Sequence, residues 1–210
     1  MIIGSIDPGI ENFAFCIVGV DEKSLSTSSS LKDVYKASSS ILIEVISLKD
    51  KGKDKSKDKS NKEKKSKTNL DYSIFVNLTT ILDKYREYWD KCSIIIIETQ
   101  MSFGDKVNVK ALKVAQHCYS YFSIFYANFK TVLNYPAYHK YHALECPKGM
   151  TKPQRKKWAV EKAQEIWIGN NDFSTLQLVS KYRKKDDLCD SFIQAVSFIF
   201  LKFCKKRNFN

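Results

Sequence analysis

The chain has 210 residues, with 35 Lys and Arg against 23 Asp and Glu for a net charge of +12 at pH 7, and 43% of its residues are hydrophobic. That excludes a wholly disordered chain, while 7 Gly and 4 Pro exclude a collagen-like or proline-rich one. What remains is a single globular domain over residues 1–210, whose positive charge points to a polyanionic partner, nucleic acid ahead of an acidic membrane surface.

Residues 2–7 (IIGSID), 12–20 (NFAFCIVGV) and 40–48 are rich in β-branched and aromatic side chains and predict three early strands. Residues 49–67 then read KDKGKDKSKDKSNKEKKSK, ten Lys against four acids with no hydrophobic residue. Such a stretch cannot bury enough apolar area to offset its ordering entropy, so it is expected to be a disordered insertion. Half of the net charge sits there, and the rest of the chain is still basic.

Residues 71–89 place Ile74, Leu78, Ile81, Leu82, Tyr85 and Trp89 at helical spacing. Residues 93–97 (SIIII) do not alternate, the mark of a central strand covered on both faces, and Glu98 ends the run. A long, largely buried helix is predicted over 108–129 and a short strand over 131–134. Thr151 can cap a helix to about residue 168, with Pro153 in its first turn. Two more helices are predicted over 174–182 and 186–205. Together these elements predict an α/β fold, a mixed five-stranded sheet flanked by helices on both faces.

Six dispersed cysteines without a CxxC pair point to a reducing, intracellular compartment. His139, His142 and Cys146 have zinc-like spacing but lack a fourth ligand, so loop histidines and a buried thiol are the preferred reading. No apolar run reaches the roughly 18 residues of a membrane span, and no membrane association is expected. Strand-like sequence begins at Met1, leaving no room for a targeting peptide ahead of Asp7.

In open α/β sheets chemistry collects beyond the carboxyl ends of central strands, where Asp7 and Glu98 fall. Asp187 and Asp190, at i and i+3, share a face of the last helix, with Asp186 on a neighbouring face. Helix capping and dipole effects account for acids at a helix start. They account less well for Asp190, because SFIQAVSFIFLKF follows it and places the carboxylate near the core, where it needs a cation. Carboxylates converging from two strands and a helix repel unless cations neutralise them, and oxygen-only ligands select Mg2+ or Mn2+. Two such ions support in-line hydrolysis of a phosphodiester.

IDPGIENFAFCIV with Asp7, Gly9 and Asn12, IIIIETQ with Glu98 and Gln100, NVKALKVAQ and DDLCD resemble, in this order, the RuvC-type Holliday-junction resolvases of the ribonuclease H-like superfamily, the poxvirus branch above all. The resemblance spans the chain from Met1 to about Phe203 apart from the Lys tract. It implies a homodimeric endonuclease that uses two Mg2+ ions per site, with Mn2+ able to substitute, to cut a four-way DNA junction by paired symmetric nicks. Asp7 would be shared by both ions, Glu98 would bind one, and Asp187 and Asp190 would complete the site. The DD doublet leaves a one-residue register shift to Asp186 open, with Asp187 favoured by its i, i+3 spacing to Asp190.

For DNA, the resemblance assigns Lys140 in NYPAYHK, and the helix start GMTKPQRKK offers Lys152, Arg155, Lys156 and Lys157. Solubilising lysines on an exposed face are the alternative for each of them. Phe103 is a candidate wedge at the junction centre or a core residue. The Lys tract departs from the bacterial pattern and is given no role. A viral protein acting in host cytoplasm fits the missing presequence. Two rival classes are a noncatalytic nucleic-acid-binding scaffold and an actin or sugar-kinase type phosphotransferase, which D-x-G-x-x-N also suits but which requires a second Gly-rich loop.

Overall fold

The computed structural model describes residues 1–49, 68–100, 107–207 and 209. The Lys tract, apart from Lys49, and Phe103 lie outside the described residues. The strands are β1 (Ile2–Asp7), β2 (Phe13–Val20), β3 (Ser38–Ile46), β4 (Ile94–Thr99) and β5 (Thr131–Pro136), in the spatial order β3-β2-β1-β4-β5. β1, β2 and β3 pair antiparallel, whereas β4 runs parallel to both β1 and β5, so the sheet is mixed as expected.

Among the described residues the helices are α1 (Leu31–Ala37), α2 (Tyr72–Lys84), α3 (Arg86–Lys91), α4 (Val109–Tyr126), α5 (Tyr138–Ala143), α6 (Lys152–Gly169), α7 (Phe173–Ser180) and α8 (Asp186–Ile199). The single helix predicted over 71–89 is two, because the backbone at Tyr85 (φ −103°, ψ 18°) leaves helical geometry between them. The last helix ends earlier than predicted, in a π-helical turn over Phe200–Cys204. α1 and α5 are additional to the elements predicted; α1 is announced by a capping box in which Ser30 and Asp33 bond reciprocally.

The uninterrupted Ile94–Ile97 run has a direct structural meaning. Ile94 and Ile96 enter one core with Ile3, Cys16 and Val18 of the sheet and Trp158, Ala163, Phe192 and Val196 of the helices. Ile95 and Ile97 enter a second core, on the other face, with Phe13, Phe15, Leu78, Trp89, Val114 and Phe122. A strand that feeds two cores has no solvent side to make polar. α8 lies across the first face, and Gln194, wholly buried, donates to Ser5 Oγ at 3.1 Å and to the Ile6 carbonyl at 3.3 Å. Tyr135 of β5 and Ser197 of α8 share a hydrogen bond at 2.9 Å. These contacts fix α8 in rotation as well as position, and therefore fix where its first turn points.

None of the helices among the described residues is long and apolar enough to cross a membrane. All six cysteines are free thiols.

Trp89 is wholly buried and meets Phe15 and Phe122 at ring-centroid distances of 5.1 and 5.2 Å. A Cβ on Gly4 would stand 2.9 Å from its ring, so this glycine clears room for the indole. Trp89→Ala is expected to destabilise the chain by about 3–5 kcal/mol in urea unfolding. Gly4→Ala is expected to destabilise the wild type more than it does the Trp89→Ala background, and additive effects in this double-mutant cycle would contradict the contact.

Candidate active site

Register brings the two strand-end acids together. Ile6 of β1 is the partner of Ile97 of β4, so Asp7 and Glu98 follow side by side at the carboxyl ends of adjacent parallel strands. Asp190 reaches the same place from the first turns of α8 and is only 7% exposed. At the centre stands a cation: Lys140 of α5, 2% exposed, with its Nζ 2.7 Å from Glu98 Oε2 and 3.3 Å from Asp190 Oδ1. The contact with Asp190 is an ion pair without hydrogen-bond geometry, and it leaves Asp190 Oδ1 with no hydrogen-bond partner among the described residues. Gln100 donates from Nε2 to Glu98 Oε1 at 3.5 Å.

Burial raises the Asp7 carboxyl well above the ordinary aspartate value, and the charges of Glu98, Asp190 and Asp187 push it the same way against Lys140. Asp190 is raised for the same reason: burial and the nearby Glu98 outweigh the ammonium groups of Lys140 and Lys156. Burial acts against the Lys140 ammonium, yet Glu98, Asp190 and Asp7 more than reverse it, so its pKa lies above that of an ordinary lysine. Both members of the Lys140–Asp190 pair shift upward, the acid chiefly through burial and the lysine through the carboxylates around it.

Asp187 and Asp186 share a second cation. Lys156 of α6 forms a short ion pair with Asp186 and lies 3.5 Å from Asp187 Oδ1. The bond to Lys156 offsets burial and holds Asp186 below the usual aspartate range. Asp187, not Asp186, is among the charges that act on Asp7. Lys156 of α6 thus approaches both acids of the doublet, Asp186 more closely than Asp187.

Lys140, assigned to DNA by the resemblance, is folded inward by α5 among the acids. Lys156, expected on a DNA-facing surface, is half-buried against Asp186. Arg155 donates to the Met150 carbonyl at 2.9 Å and lies over the Tyr141 ring at 5.6 Å. Lys152 is exposed, and Lys157 is exposed with Glu161 one turn on at 3.6 Å. His139 packs against Tyr135 and Tyr138, whereas the Cys146 Sγ faces Pro147 and Met150, so the spaced His–His–Cys set does not share one centre. Gln194, which ties α8 to the backbone just before Asp7, stands out in the sequence as the one amide within an apolar run.

The donor set is of the kind hard divalent ions prefer: carboxylate oxygens only, largely buried, with more negative charge than Lys140 neutralises. Among the described residues, no three Asp, Glu, His or Cys side chains already stand as an ion cage, and the ammonium of Lys140 lies between Glu98 and Asp190.

No protein-family model matches the chain. It is 33% identical to protein 97L of Invertebrate iridescent virus 3 over 203 residues, covering 90% of this chain and 95% of that protein. Among solved structures it is similar to the fowlpox virus resolvase in complex with Holliday junction DNA, with a TM-score of 0.55 at 20% identity over 95% of this chain and 97% of that one. It is similar also to Thermus thermophilus RuvC, with a TM-score of 0.55 at 12% identity over 97% and 98%. The likeness to these structures is one of fold.

Because the folded-state pKa of Asp7 lies above the unfolded value of roughly 3.9, its carboxyl favours folding while protonated, and that contribution is lost as pH rises through the raised value. Asp7→Asn is expected to raise the melting temperature at pH 7 to 8, by about 2–4 °C for each kcal/mol relieved. The gain should shrink toward pH 4, and a variant less stable than wild type throughout that range would contradict the like-charge crowding.

Proposed function

We propose a function for a chain that belongs to the family of protein 97L of Invertebrate iridescent virus 3 and has the RuvC-type ribonuclease H-like fold: it is a metal-dependent endonuclease that resolves four-way DNA junctions. One observation carries the reading. Acids from β1, β4 and α8 meet at the carboxyl ends of the parallel strands around a single buried ammonium. A structural ion pair needs one carboxylate for its lysine, and the surplus here resembles a site built to receive more cation than the chain supplies.

Asp7, Glu98, Asp187 and Asp190 are the residues that would hold Mg2+ or Mn2+. Bound there, a pair of such ions would activate water and stabilise the leaving oxygen of a phosphodiester. The chain's own residues supply the rest. β1 and β4 hold Asp7 and Glu98 on a rigid sheet, and Gln194 locks α8 behind them. Lys140 lies between Glu98 and Asp190 and keeps them together as an assembled pair. Lys156 holds Asp186 and stands 3.5 Å from Asp187, the member of the doublet assigned to the metal site.

The exposed start of α6, with Lys152 and Lys157, suits the phosphate backbone of a junction arm. A four-way junction is two-fold symmetric and the described residues of one chain hold one such acid cluster, so paired cuts call for two chains. Ile124 and Phe129, 78% and 83% exposed at the end of α4, offer apolar surface for a homodimer. A noncatalytic scaffold would have no use for the surplus of buried acids, which lowers stability.

In Mg2+ or Mn2+ the chain is expected to nick a synthetic four-way junction at symmetric positions on two opposing strands. Asp7→Asn should abolish the nicks while junction binding in Ca2+ persists; a variant that still cuts would end the assignment. For the DNA surface, Lys152→Ala with Lys157→Ala should flatten the dependence of junction affinity on salt, by about 0.9 in the log–log slope for each phosphate that is no longer neutralised. An unchanged slope would place the DNA elsewhere.

A further inference from the structure

We propose a second anion site, for consecutive phosphates, at the end of the sheet remote from the acid cluster. A cavity of about 460 Å3 opens there between the start of β5 and the end of the last helix, lined by Thr131, Phe198, Lys202, Lys206, Arg207 and Phe209 among others. The separation follows from register. Tyr135 is the partner of Glu98, and Thr131 lies four residues earlier on β5, roughly 13 Å along the strand. Lys202 follows Asp190 by twelve residues, roughly 18 Å along a helix. This site is independent of the nuclease reading.

Among the described residues no carboxylate lines the cavity, so its three cations have no acid beside them there. Lys202 lies over the Phe198 ring at 5.7 Å and Arg207 over the Phe209 ring at 5.9 Å, contacts that orient a cation without neutralising it. Arg207 Nη1 is 3.5 Å from His139 Nδ1, another uncharged neighbour. Burial and the charge of Arg207 hold that imidazole down to about 4, so it stays neutral near pH 7.

The backbone brings these side chains to one place. α8 passes into the π-helical turn Phe200–Cys204, and Lys206 then adopts φ +48°, a left-handed conformation that glycine takes at far lower cost. The Arg207 amide closes the reversal on the Leu201 carbonyl at 3.0 Å. Positions 202, 206 and 207 are thereby gathered round one opening, against their mutual repulsion and with a lysine where glycine fits best. An anion relieves that repulsion, and two ammonium groups with a guanidinium fork match the oxygens of phosphate. The volume admits more than one phosphate group. Inorganic triphosphate, a nucleotide tail and a stretch of nucleic-acid backbone share that chemistry.

The test uses the full chain without divalent ions, titrated with inorganic triphosphate by calorimetry and followed by hydrogen exchange over residues 198–209. Wild type is expected to bind and to gain protection there. Lys202→Gln with Arg207→Gln should weaken binding at least tenfold, whereas Lys84→Gln with Lys91→Gln, the same charge loss on the opposite face, should not. Lys206→Gly removes one cation and eases the backbone, so it should fold at least as stably and still bind more weakly. An unbranched DNA duplex that protects 198–209 in wild type, and not in the Lys202/Arg207 variant, assigns the site to nucleic-acid backbone; triphosphate protection without duplex protection assigns it to a free polyphosphate. No protection by triphosphate, or undiminished affinity in both the double variant and Lys206→Gly, overturns the proposal.

Discussion

A buried lysine among converging carboxylates is the constraint around which this end of the molecule is organised. Removing Glu98, Asp190 and Lys140 from water carries a large desolvation cost, returned only if ammonium and carboxylates meet at hydrogen-bonding distance. That requirement ties together three elements far apart in sequence. β4 must end at Glu98, α5 must turn inward after β5, and α8 must begin close enough for Asp190 to reach the same ammonium. The cluster is overcharged even so, as the upward shift of both Asp7 and Asp190 records. The fold tolerates this because the rest of α8 is buried in one of its two cores, from Leu188 to Ile199.

Much of this was legible in the sequence because it rests on short-range pattern. Unbroken isoleucines announce a strand with two buried faces, and Ile94 to Ile97 do alternate between two cores. Acids at strand ends announce the working edge of an α/β sheet, and i, i+3 spacing puts Asp187 and Asp190 on one helix face. Lys140 was not legible in the same way. It lies in a helix of six residues, YHKYHA, too short for periodicity to tell the inner face from the outer, and a lysine among tyrosines and histidines has the composition of a solvated turn. Its burial is decided by α8 packing over α5, a contact between segments distant in the chain. Lys156 and Asp186 are separated by thirty residues, and each has an ordinary local explanation.

The DD doublet shows how tertiary contacts act on two residues that spacing treats alike. As a sequence, Asp186 and Asp187 are interchangeable, each able to cap a helix or sit in its first turn. In the fold α6 approaches one side of the α8 start and brings Lys156 to Asp186, while Asp187 remains within the field acting on Asp7. Adjacent helix residues diverge by about 100°, so Lys156 meets Asp186 closely and stands 3.5 Å from Asp187 Oδ1.

Charge is segregated along the strand axis as well. Acids gather where β1 and β4 end, and the last helix carries Lys202, Lys206 and Arg207 to the far end beside the start of β5. Part of this follows from helix electrostatics, since α8 places Asp186 and Asp187 at its N-terminal end, and the π-helical turn that continues it carries Lys202, a cation where the dipole favours one. The dipole alone does not account for the reversal at Lys206, because scattered lysines on a solvated helix end would serve it equally well without a left-handed residue. A cavity shared by three cations and two phenyl rings is a more specific arrangement than charge complementarity requires. α8 thus runs between the acid cluster at its first turns and, beyond its last turn, the three cations proposed above to take phosphate.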